Sequence, residues 1–505
     1  MSAAASPPRV AFRADASPRI GTGHVMRCMT LADSLAARGA DCRLLCREIP
    51  DRLAARAEAR GIACTRLPAC NRDWRSESAA ARAALAGTVD WLVVDHYGLD
   101  ARWEAEMRRC ARRIMAIDDL ADRRHDADLL LDQGLARRPE DYAGRLPEGA
   151  QALLGPRHAL LRPEFAARRA EALAARGARG LGTIVVSMGG ADPLGATARV
   201  LEALAALQLP ETRRVIVALG GETPTLGAIR AQAESMPLAC ELRVGVGDMA
   251  ELFAEADLAI GAGGGTAWEC CAVGLPSVFL TVADNQHSNA AALDAAGAAL
   301  WAGDLRRAGW RDGLRRAMER LRDGALRAGM SAAAARLCDG DGVLRVAAAL
   351  FPGEVTDRPA RLEDSRRVWE WRREGGAARF NRQGSEPAFP DHHRWFVQAL
   401  GDPARRLRII ETGGLPVGYL RLDLSGGGGA RVSVCFAEAA RGQGLGRHAL
   451  GLADRLAKGE GLARLTAEIA SANGASLRLF EAAGYAPRGE HAGFLLYDKR
   501  VAVTP

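Results

Sequence analysis

Short apolar runs alternate with segments of helical spacing along the first 350 residues of this chain. One series of runs precedes a patternless stretch at 174–182 and a second series follows it. The runs lie at 10–13, 42–46, 91–95, 113–118 and 127–132, and then at 183–187, 213–219, 241–246, 257–262 and 277–282. Strands that are apolar on both faces and separated by helices predict parallel sheets covered on both sides. The pattern therefore predicts two doubly wound α/β domains whose strand ends face a cleft.

The pattern changes near Arg361, where strand-like runs lie closer together. These runs are at 406–412, 416–424, 430–436, 462–469 and 493–499. Glycines at 413–414 and 426–429 stand where hairpin turns are expected. The pattern predicts an α+β domain with an antiparallel sheet. We expect three domains, at 1–175, 176–352 and 357–505.

Composition and charge argue against nucleic-acid-binding and membrane-spanning proteins. A chain of 505 residues with 48% hydrophobic and 26% charged residues is typical of folded globular proteins. The net charge is +7. The basic residues are almost all arginines, scattered singly with no long basic run, so we expect no nucleic acid partner. The most apolar stretch, 257–283, contains Glu269 and Pro276, and we expect no membrane span.

Cysteine usage and the first residues bear on location. The chain has eleven cysteines with no CxxC spacing, and no His, Asp and Glu cluster with metal-ligand spacing stands near the glycine loops, so we expect no metal. An odd number of cysteines is typical of a reducing compartment. The segment 1–12 lacks the basic start and apolar core of a signal peptide. We therefore expect a cytoplasmic location; the oligomeric state stays open.

A glycine-rich loop joins the first predicted strand to a helix predicted over Val25–Gly39. Gly21 and Gly23 permit close approach of a ligand to the backbone, and His24 stands where the helix begins. A helix N-terminus suits a phosphate and favours a neutral imidazole that can accept a proton. His24 as a simple helix cap is an equally good interpretation. Asp15, at the end of the strand, either orients His24 or caps a turn.

A second glycine loop, at 261–269, also follows a strand and precedes a helix. Backbone N–H groups of Gly263, Gly264 and Gly265, with the Thr266 hydroxyl, are suited to holding a diphosphate. Glu269, one turn later, is placed to accept hydrogen bonds from both ribose hydroxyls of a nucleotide. After the next strand come Asn285, Gln286 and His287 as polar groups at the cleft. Together the two loops favour a nucleotide-sugar site.

Several segments in the first 350 residues resemble the UDP-sugar hydrolases of pseudaminic acid biosynthesis, in the expected order over about residues 8–350. The segments are 12–33, 93–100, 116–133, 153–165, 185–193 and 263–286. The resemblance implies the two-domain GT-B fold. It also implies hydrolysis of UDP-2,4-diacetamido-2,4,6-trideoxy-β-L-altropyranose to UDP and the free sugar. The sequence departs from the family at Leu194 and Gly195, which stand where an asparagine is common.

The same resemblance assigns roles to individual residues. His24 matches the catalytic histidine, which acts as general base on the water that attacks the anomeric carbon. Glu269 matches the ribose-binding acid and Asn285 a substrate-contacting asparagine. The full set expected to bind substrate and UDP is Asp15, Gly23, Gly264, Gly265, Thr266, Glu269 and Asn285. Because UDP leaves as a stabilised anion, the reaction needs no strong acid and no metal.

A third glycine motif, R-x-x-G-x-G, begins at Arg441, between a strand and a helix. Its N–H groups are suited to binding a pyrophosphate. With the strand and helix that follow, it resembles GCN5-related N-acetyltransferases over about residues 357–502, and in particular the acetyltransferase of the same pathway. The resemblance implies that acetyl-CoA is bound by Val434, Phe436, Arg441, Gly442, Gly444, Leu445, Gly446, Arg447, Asn473 and Ser476.

One position departs from the acetyltransferase pattern. Phe480 stands where many members have the tyrosine that reprotonates the departing thiolate. Tyr485 aligns with a structural aromatic residue, and Glu468 is a candidate relay for the amine proton. Either water supplies the proton to the thiolate or acetylation is weak.

The sequence thus predicts a bifunctional enzyme that acetylates the 4-amino group of a UDP-sugar and then releases UDP by hydrolysis. The expected ligands are a UDP-sugar and acetyl-CoA. One alternative is a GT-B glycosyltransferase, which shares the glycine loops and the ribose glutamate. Another is a C-terminal module that senses acetyl-CoA without catalysing transfer. The pairs Asp118–Asp119 and His392–His393 are interpreted as caps or surface groups.

Overall fold

The computed structural model of this chain divides it into two compact units, residues 1–350 and 351–505. The residues described are 7–17, 20–69, 73–176, 180–189, 192, 194–221, 224–351, 355–373, 380, 387–413, 415–437, 440–441 and 444–501. Three sheets form in these residues, two in the first unit and one in the second. The boundary predicted within the first unit, at 175–176, stays a prediction.

The first sheet of the N-terminal unit is parallel, with strand order β3-β2-β1-β4-β5-β6-β7. Its strands are β1 (Arg9–Ala14), β2 (Asp41–Cys46), β3 (Ala63–Arg66), β4 (Val89–Asp95), β5 (Ala111–Ile117), β6 (Leu129–Asp132) and β7 (Gln151–Leu154). The helices between them are α1 (Gly23–Ala36), α2 (Asp51–Glu58), α3 (Trp74–Leu85) and α4 (Ala101–Met107). Buried aliphatic strand residues pack against α3 and α4 around Trp103, which has no exposed surface.

The second sheet is also parallel, with order β10-β9-β8-β11-β12-β13. Its strands are β8 (Thr183–Ser187), β9 (Arg214–Leu219), β10 (Ala239–Val244), β11 (Leu258–Gly261), β12 (Ser277–Thr281) and β13 (Leu300–Asp304). The helices are α5 (Pro163–Arg176), α6 (Ala196–Ala205), α7 (Leu226–Glu234), α8 (Met249–Glu255), α9 (Thr266–Ala272), α10 (His287–Ala295), α11 (Trp310–Arg320), α12 (Gly324–Leu337) and α13 (Gly342–Leu350). These two sheets confirm the predicted doubly wound architecture.

The last helix of this unit returns to the first sheet. Helix α13 packs against α1, and the indole N–H of Trp91 on β4 donates to the Leu350 carbonyl at 2.9 Å. Apolar helix residues such as Val346 and Ala347 are fully buried there. The chain therefore links the two sheets twice, once before α5 and once through α13.

The second unit holds a seven-stranded sheet of order β14-β15-β16-β17-β18-β20-β19. Its strands are β14 (Val355–Pro359), β15 (Arg405–Thr412), β16 (Leu415–Ser425), β17 (Gly429–Phe436), β18 (Arg464–Ala470), β19 (Ala486–His491) and β20 (Phe494–Arg500). Its helices are α14 (Asp364–Trp371), α15 (Phe389–Gly401), α16 (Leu445–Gly459) and α17 (Gly474–Ala482). The predicted α+β class is confirmed.

The expectation of a wholly antiparallel sheet in this unit is wrong at one place. Strands β17 and β18 are parallel, because α16 carries the chain back across the sheet between them. Strands β15 and β16 are antiparallel neighbours, as are β16 and β17, which the predicted turn at 426–429 joins; residue 414 of the other predicted turn lies outside the described residues. Among the described helices, none is long and apolar enough to cross a membrane.

Candidate functional site

His24 lies at the start of α1 and is nearly buried, with 9% of its surface exposed. Its Nδ1 is 2.6 Å from Oδ1 of Asp95, the last residue of β4. Strands β1 and β4 are parallel neighbours, so the loop after β1 and the end of β4 meet at one edge of the sheet. Gly21, with φ of +82°, turns the chain into the helix. The pairing of β1 with β4 thus brings a histidine and a carboxylate together at this edge of the sheet.

Arg27 completes this pair from the next turn of α1. Its Nε donates to Oδ2 of Asp95 and its Nη2 to Oδ1, both at 2.6 Å. Burial alone would raise the pKa of Asp95, but the charges of Arg27 and His24 hold it well below its usual range. The ionised carboxylate accepts a hydrogen bond from Nδ1–H, which leaves Nε2 of His24 as the nitrogen that can take a proton.

Asp15 does not orient His24. Its carboxylate forms a bidentate pair with Arg13 at 2.7 and 2.9 Å, accepts from the Arg47 backbone N–H at 2.7 Å, and lies 3.4 Å from Nε2 of His96. Burial opposes ionisation, but hydrogen bonds from His96 and Arg13 hold the pKa of Asp15 well below its usual range. The orienting role suggested for Asp15 belongs to Asp95. Its expected role in binding substrate stays a prediction.

Tyr97 connects the histidine to the second sheet. Its ring packs edge-on against the His24 ring at 4.9 Å. Its hydroxyl donates to Oδ2 of Asp119 at 3.0 Å and accepts from Nδ2 of Asn285 at 3.1 Å. Asn285 follows β12, so the structure brings two predicted site residues, His24 and Asn285, to either side of one tyrosine. The residues Arg27, Asp95 and Tyr97 were not singled out from the sequence, although 93–100 was among the resembling segments.

The second glycine loop lies between β11 and α9. Gly263 has φ of +76°, and a Cβ there would contact Phe279 and Ala290 at 3.6 and 3.7 Å, so the loop packs closely on β12 and α10. Gly264 is half-buried and Gly265 exposed, while Thr266 begins α9. This helix has only seven residues, so any diphosphate contacts would come mainly from loop N–H groups.

The polar residues around this loop have different partners. Glu269 is half-buried, with Oε1 3.6 Å from Nη2 of Arg162; burial raises its pKa and Arg162 opposes that rise. Gln286 accepts from the Val282 N–H at 2.8 Å and so fixes its own loop. His287 Nε2 is 2.9 Å from Asp304. Of the sequence candidates after β12, Asn285 is the one whose side chain reaches the first sheet.

Among the described residues, one group has atoms close enough together to share a metal ion: Asp284, His287 and Asp304. Arg306 already pairs with both carboxylates, at 2.5 Å to Asp284 and 2.8 Å to Asp304. A guanidinium in this position supplies the positive charge that a cation would bring. We therefore assign no metal to the group.

A buried polar network supports the loop that carries Asp119. The Tyr142 hydroxyl lies 2.8 Å from Oδ2 of Asp132 and 3.0 Å from Oδ2 of Asp118, and neither carboxyl group is exposed. Burial would lower the pKa of His125, but the acceptors Asp118 and Glu104 raise it to about 9. Asp118 accepts the Ala121 N–H of its own loop and so acts as a cap, one of the two interpretations; it is fully buried and is not a surface group.

This network predicts a pH-dependent stability. Burial raises the pKa of Asp132 to about 6 from 3.8, so the folded state keeps a proton that the unfolded state releases at lower pH. The free energy of unfolding therefore falls as pH rises through this window. An asparagine side chain cannot ionise, so the free energy of unfolding of Asp132→Asn does not fall in this way. Relative to wild type, it should rise by about 2 kcal/mol from pH 4.5 to pH 7.5. Denaturant unfolding at several pH values measures this change. As the control, Asp122→Asn at an exposed position should give a plot of unfolding free energy against pH that runs parallel to that of wild type. Parallel curves for both variants would contradict the assignment.

The C-terminal unit contains a cavity of about 540 Å³ where β17 and β18 diverge. The two strands pair over Gly429–Arg431 and Arg464–Thr466. Beyond that pairing, both strands contribute to the cavity wall. Three of the expected acetyl-CoA residues line it, namely Val434, Asn473 and Ser476. Asn473 caps α17 by accepting the Ser476 N–H at 3.2 Å.

The predicted glycine motif lies where α16 begins. Gly444, with φ of +79°, is the residue before the helix, and Leu445 is buried. A Cβ at Gly446 would lie 2.6 Å from Leu479 Cδ2, so glycine permits α16 to pack closely on α17. Arg447 is exposed, and Arg441 Nε donates to the Phe436 carbonyl at 3.2 Å. Gly442 lies outside the described residues.

Further residues bear on proton transfer in this cavity. Phe480 lines the wall and packs edge-on against Tyr485 at 5.0 Å. Tyr485 is buried, and burial raises its pKa. Glu468 lines the cavity 3.6 Å from Arg431. His392 also lines it, and burial with the nearby Arg372 charge lowers its pKa to about 4, so its interpretation as a surface group is wrong.

Comparisons with known proteins agree with this division of the chain. Residues 186–335 match the model of the glycosyltransferase family 28 C-terminal domain, and residues 366–485 match the acetyltransferase (GNAT) family. The crystal structure of Acinetobacter baumannii MurG superposes with a TM-score of 0.50 at 17% identity, covering 68% of this chain and 99% of that one. At that identity the likeness shows the fold, which confirms the GT-B expectation.

Two sequence relatives match parts of the chain. The Campylobacter jejuni UDP-2,4-diacetamido-2,4,6-trideoxy-β-L-altropyranose hydrolase is 24% identical over 229 residues, which are 45% of this chain and 74% of that protein. The Bacillus subtilis spore coat polysaccharide biosynthesis protein SpsG is 32% identical over 148 residues, 29% of this chain. The match spans only 42% of the length of SpsG. The chain therefore joins a region similar to the glycosyltransferase family 28 C-terminal domain to a region that matches the GNAT acetyltransferase family.

Proposed function

We propose that the N-terminal unit hydrolyses UDP-2,4-diacetamido-2,4,6-trideoxy-β-L-altropyranose to UDP and the free sugar. The observation that carries this proposal is the 2.6 Å contact between His24 Nδ1 and Asp95 at the end of β4. An oriented neutral imidazole is the group that general-base catalysis requires. The similarity to the Campylobacter hydrolase supports the substrate class.

In the proposed reaction, His24 activates water and UDP is the leaving group. His24 Nε2 takes a proton from water while the water oxygen bonds to the anomeric carbon. The bond between that carbon and the phosphate oxygen breaks, and UDP leaves as an anion. Asp95 stabilises the imidazolium that forms, while Arg27 keeps Asp95 ionised. Gly264, Gly265 and Thr266 are expected to hold the diphosphate, Glu269 the ribose, and Gly23 and Asn285 the sugar side of the cleft.

The C-terminal unit is proposed to supply the substrate of this hydrolysis. It transfers acetyl from acetyl-CoA to the 4-amino group of the preceding UDP-sugar. The amine nitrogen bonds to the thioester carbon and the C–S bond breaks. The nitrogen gives up one proton to water, with Glu468 as the candidate relay, and the thiolate takes up one proton from water. The divergence of β17 and β18, with Val434, Asn473 and Ser476 in the cavity wall, fits the acetyl end of the cosubstrate. The loop from Arg441 to Arg447 is expected to hold its pyrophosphate.

Isotope labelling tests the hydrolase proposal. Turnover in H₂¹⁸O should place the label in the anomeric hydroxyl of the released sugar, because water attacks carbon. Label in the phosphate would contradict the proposal. A second candidate function is glycosyl transfer, which the family 28 match favours. UDP release that requires an added sugar or lipid acceptor would support that candidate instead.

The variant Tyr97→Phe tests whether the Tyr97 hydroxyl contributes to UDP release. Tyr97→Phe keeps the edge-on packing against His24 but removes the hydroxyl that contacts Asp119 and Asn285. We expect kcat/KM for UDP release to fall about tenfold, the size of one or two lost hydrogen bonds. Steady-state kinetics measure it. Unchanged kcat/KM would show that the Tyr97 hydroxyl has no part in the reaction.

A further inference from the structure

We propose that Arg162 is a positioning residue for Glu269 and thereby makes the nucleotide site select a ribonucleotide over its 2′-deoxy form. The inference rests on the proposed function, in which Glu269 binds the ribose. It adds a residue outside the glycine loops, in the segment that joins the two sheets.

The Arg162 guanidinium contacts two segments of the second sheet's domain, the loop before α8 and helix α9. Its Nη1 donates to the Gly247 carbonyl at 3.2 Å, just before α8, and its Nη2 lies 3.6 Å from Glu269 Oε1 on α9. The Phe165 ring lies against the guanidinium, 5.4 Å from its central carbon. These three contacts fix where the positive charge stands relative to the carboxylate.

Burial strengthens the electrostatic attraction between Arg162 and Glu269. The Arg162 side chain is 14% exposed and that of Glu269 is 20% exposed, so solvent screens their attraction only in part. Burial raises the pKa of Glu269, and Arg162 counteracts that rise. An ionised carboxylate accepts from two hydroxyl groups at once, whereas a protonated one offers a donor in place of an acceptor.

Selectivity for ribose follows from that chemistry. A ribonucleotide presents 2′ and 3′ hydroxyls to the two carboxylate oxygens, whereas a 2′-deoxynucleotide presents one. A site that holds a fixed, charged acceptor leaves it unsatisfied when the 2′ hydroxyl is missing. If Arg162 is removed, Glu269 can rotate or protonate, and the penalty against the deoxy form shrinks.

Calorimetric titration of the full-length chain with UDP and with 2′-deoxy-UDP tests this inference. Wild type should bind UDP more tightly than 2′-deoxy-UDP by about tenfold. Arg162→Met should weaken UDP binding and bring the ratio of the two affinities close to one, as should Glu269→Gln. Arg162→Lys, which restores the charge without the planar fork, should recover part of the ratio.

Arg168→Met is the matched control. Arg168 lies on α5 and pairs with Asp248 and Glu251 at the start of α8, and its side chain is 35% exposed. This variant should keep the wild-type ratio. Thermal melting reports whether each variant is folded, and Arg162→Lys provides the test if Arg162→Met does not fold.

The two hypotheses fail in different ways. If wild type does not bind UDP, or binds both nucleotides equally, the ribose role of Glu269 in the proposed function is wrong. If wild type discriminates and Glu269→Gln abolishes discrimination, but Arg162→Met and Arg162→Lys both keep the wild-type ratio, the inference about Arg162 is overturned while the proposed function stands.

Discussion

His24→Asn should lower kcat for UDP release by about a thousandfold, the middle of the range for losing a general base. Asparagine retains a polar side chain at the start of α1 but cannot accept a proton at neutral pH. The fall should appear in kcat, while UDP binds with nearly wild-type affinity, because His24 acts on water and not on the nucleotide. Steady-state kinetics and calorimetric titration with UDP measure the two effects.

The same variant carries its own control. Acetylation of the UDP-4-amino sugar by His24→Asn should proceed at the wild-type rate, since the acetyl-transfer cavity is lined by residues of the C-terminal unit. Retained hydrolysis would reduce His24 to a helix cap. Loss of UDP affinity in proportion to kcat would instead indicate that the substitution disturbs the whole cleft.

Gly446→Phe should reduce acetyl transfer by about a hundredfold, the cost of displacing reacting groups by about 1 Å. Even the first side-chain atom at this position would lie 2.6 Å from Leu479 Cδ2, so a phenyl ring forces α16 and α17 apart. Helix α17 begins next to Asn473 and carries Ser476, both in the cavity wall. Thiol release from acetyl-CoA, detected with a colorimetric reagent, measures the rate.

A glycine at the other end of the same helix supplies the comparison. Gly459 is exposed, and no heavy atom lies within 4 Å of the position its Cβ would take. Gly459→Phe should leave acetyl transfer within about twofold of wild type, as expected for a surface substitution. Hydrolysis of the diacetamido substrate should survive in both variants. Equal losses of acetyl transfer in both would show that the close packing at Gly446 is not the cause.

Much of the fold was predictable because buried strands carry a strong signal. The runs at 10–13 and 183–187 became central strands β1 and β8, since continuous apolar sequence is required where both faces are covered. Several strands were missed, β3 and β19 among them. Both lie at sheet edges, and β19 is exposed along its whole length, so their sequences have little apolar content to mark them.

The site was predictable in part, and its gaps have a physical cause. His24, Glu269 and Asn285 lie beside glycine loops or strand ends, which local sequence marks. The suggested partner of His24 was Asp15, close to it in sequence, whereas its partner is Asp95, brought close by the pairing of β1 with β4. Such a contact depends on strand order, and a single sequence offers no local signal for it. Arg162, between the two sheets, went unnoticed for the same reason.

The most direct test of the account supplies the UDP-4-amino sugar to the full-length chain with and without acetyl-CoA, and follows thiol and UDP release together. We predict that acetyl-CoA is needed for rapid UDP release, with thiol appearing first and the N-acetylated nucleotide sugar as an intermediate. Without acetyl-CoA, UDP release should be at least about tenfold slower, because the cleft is then offered a substrate lacking one acetyl group. UDP release at the same rate in both conditions, or the absence of an N-acetylated product, would contradict the two-step account.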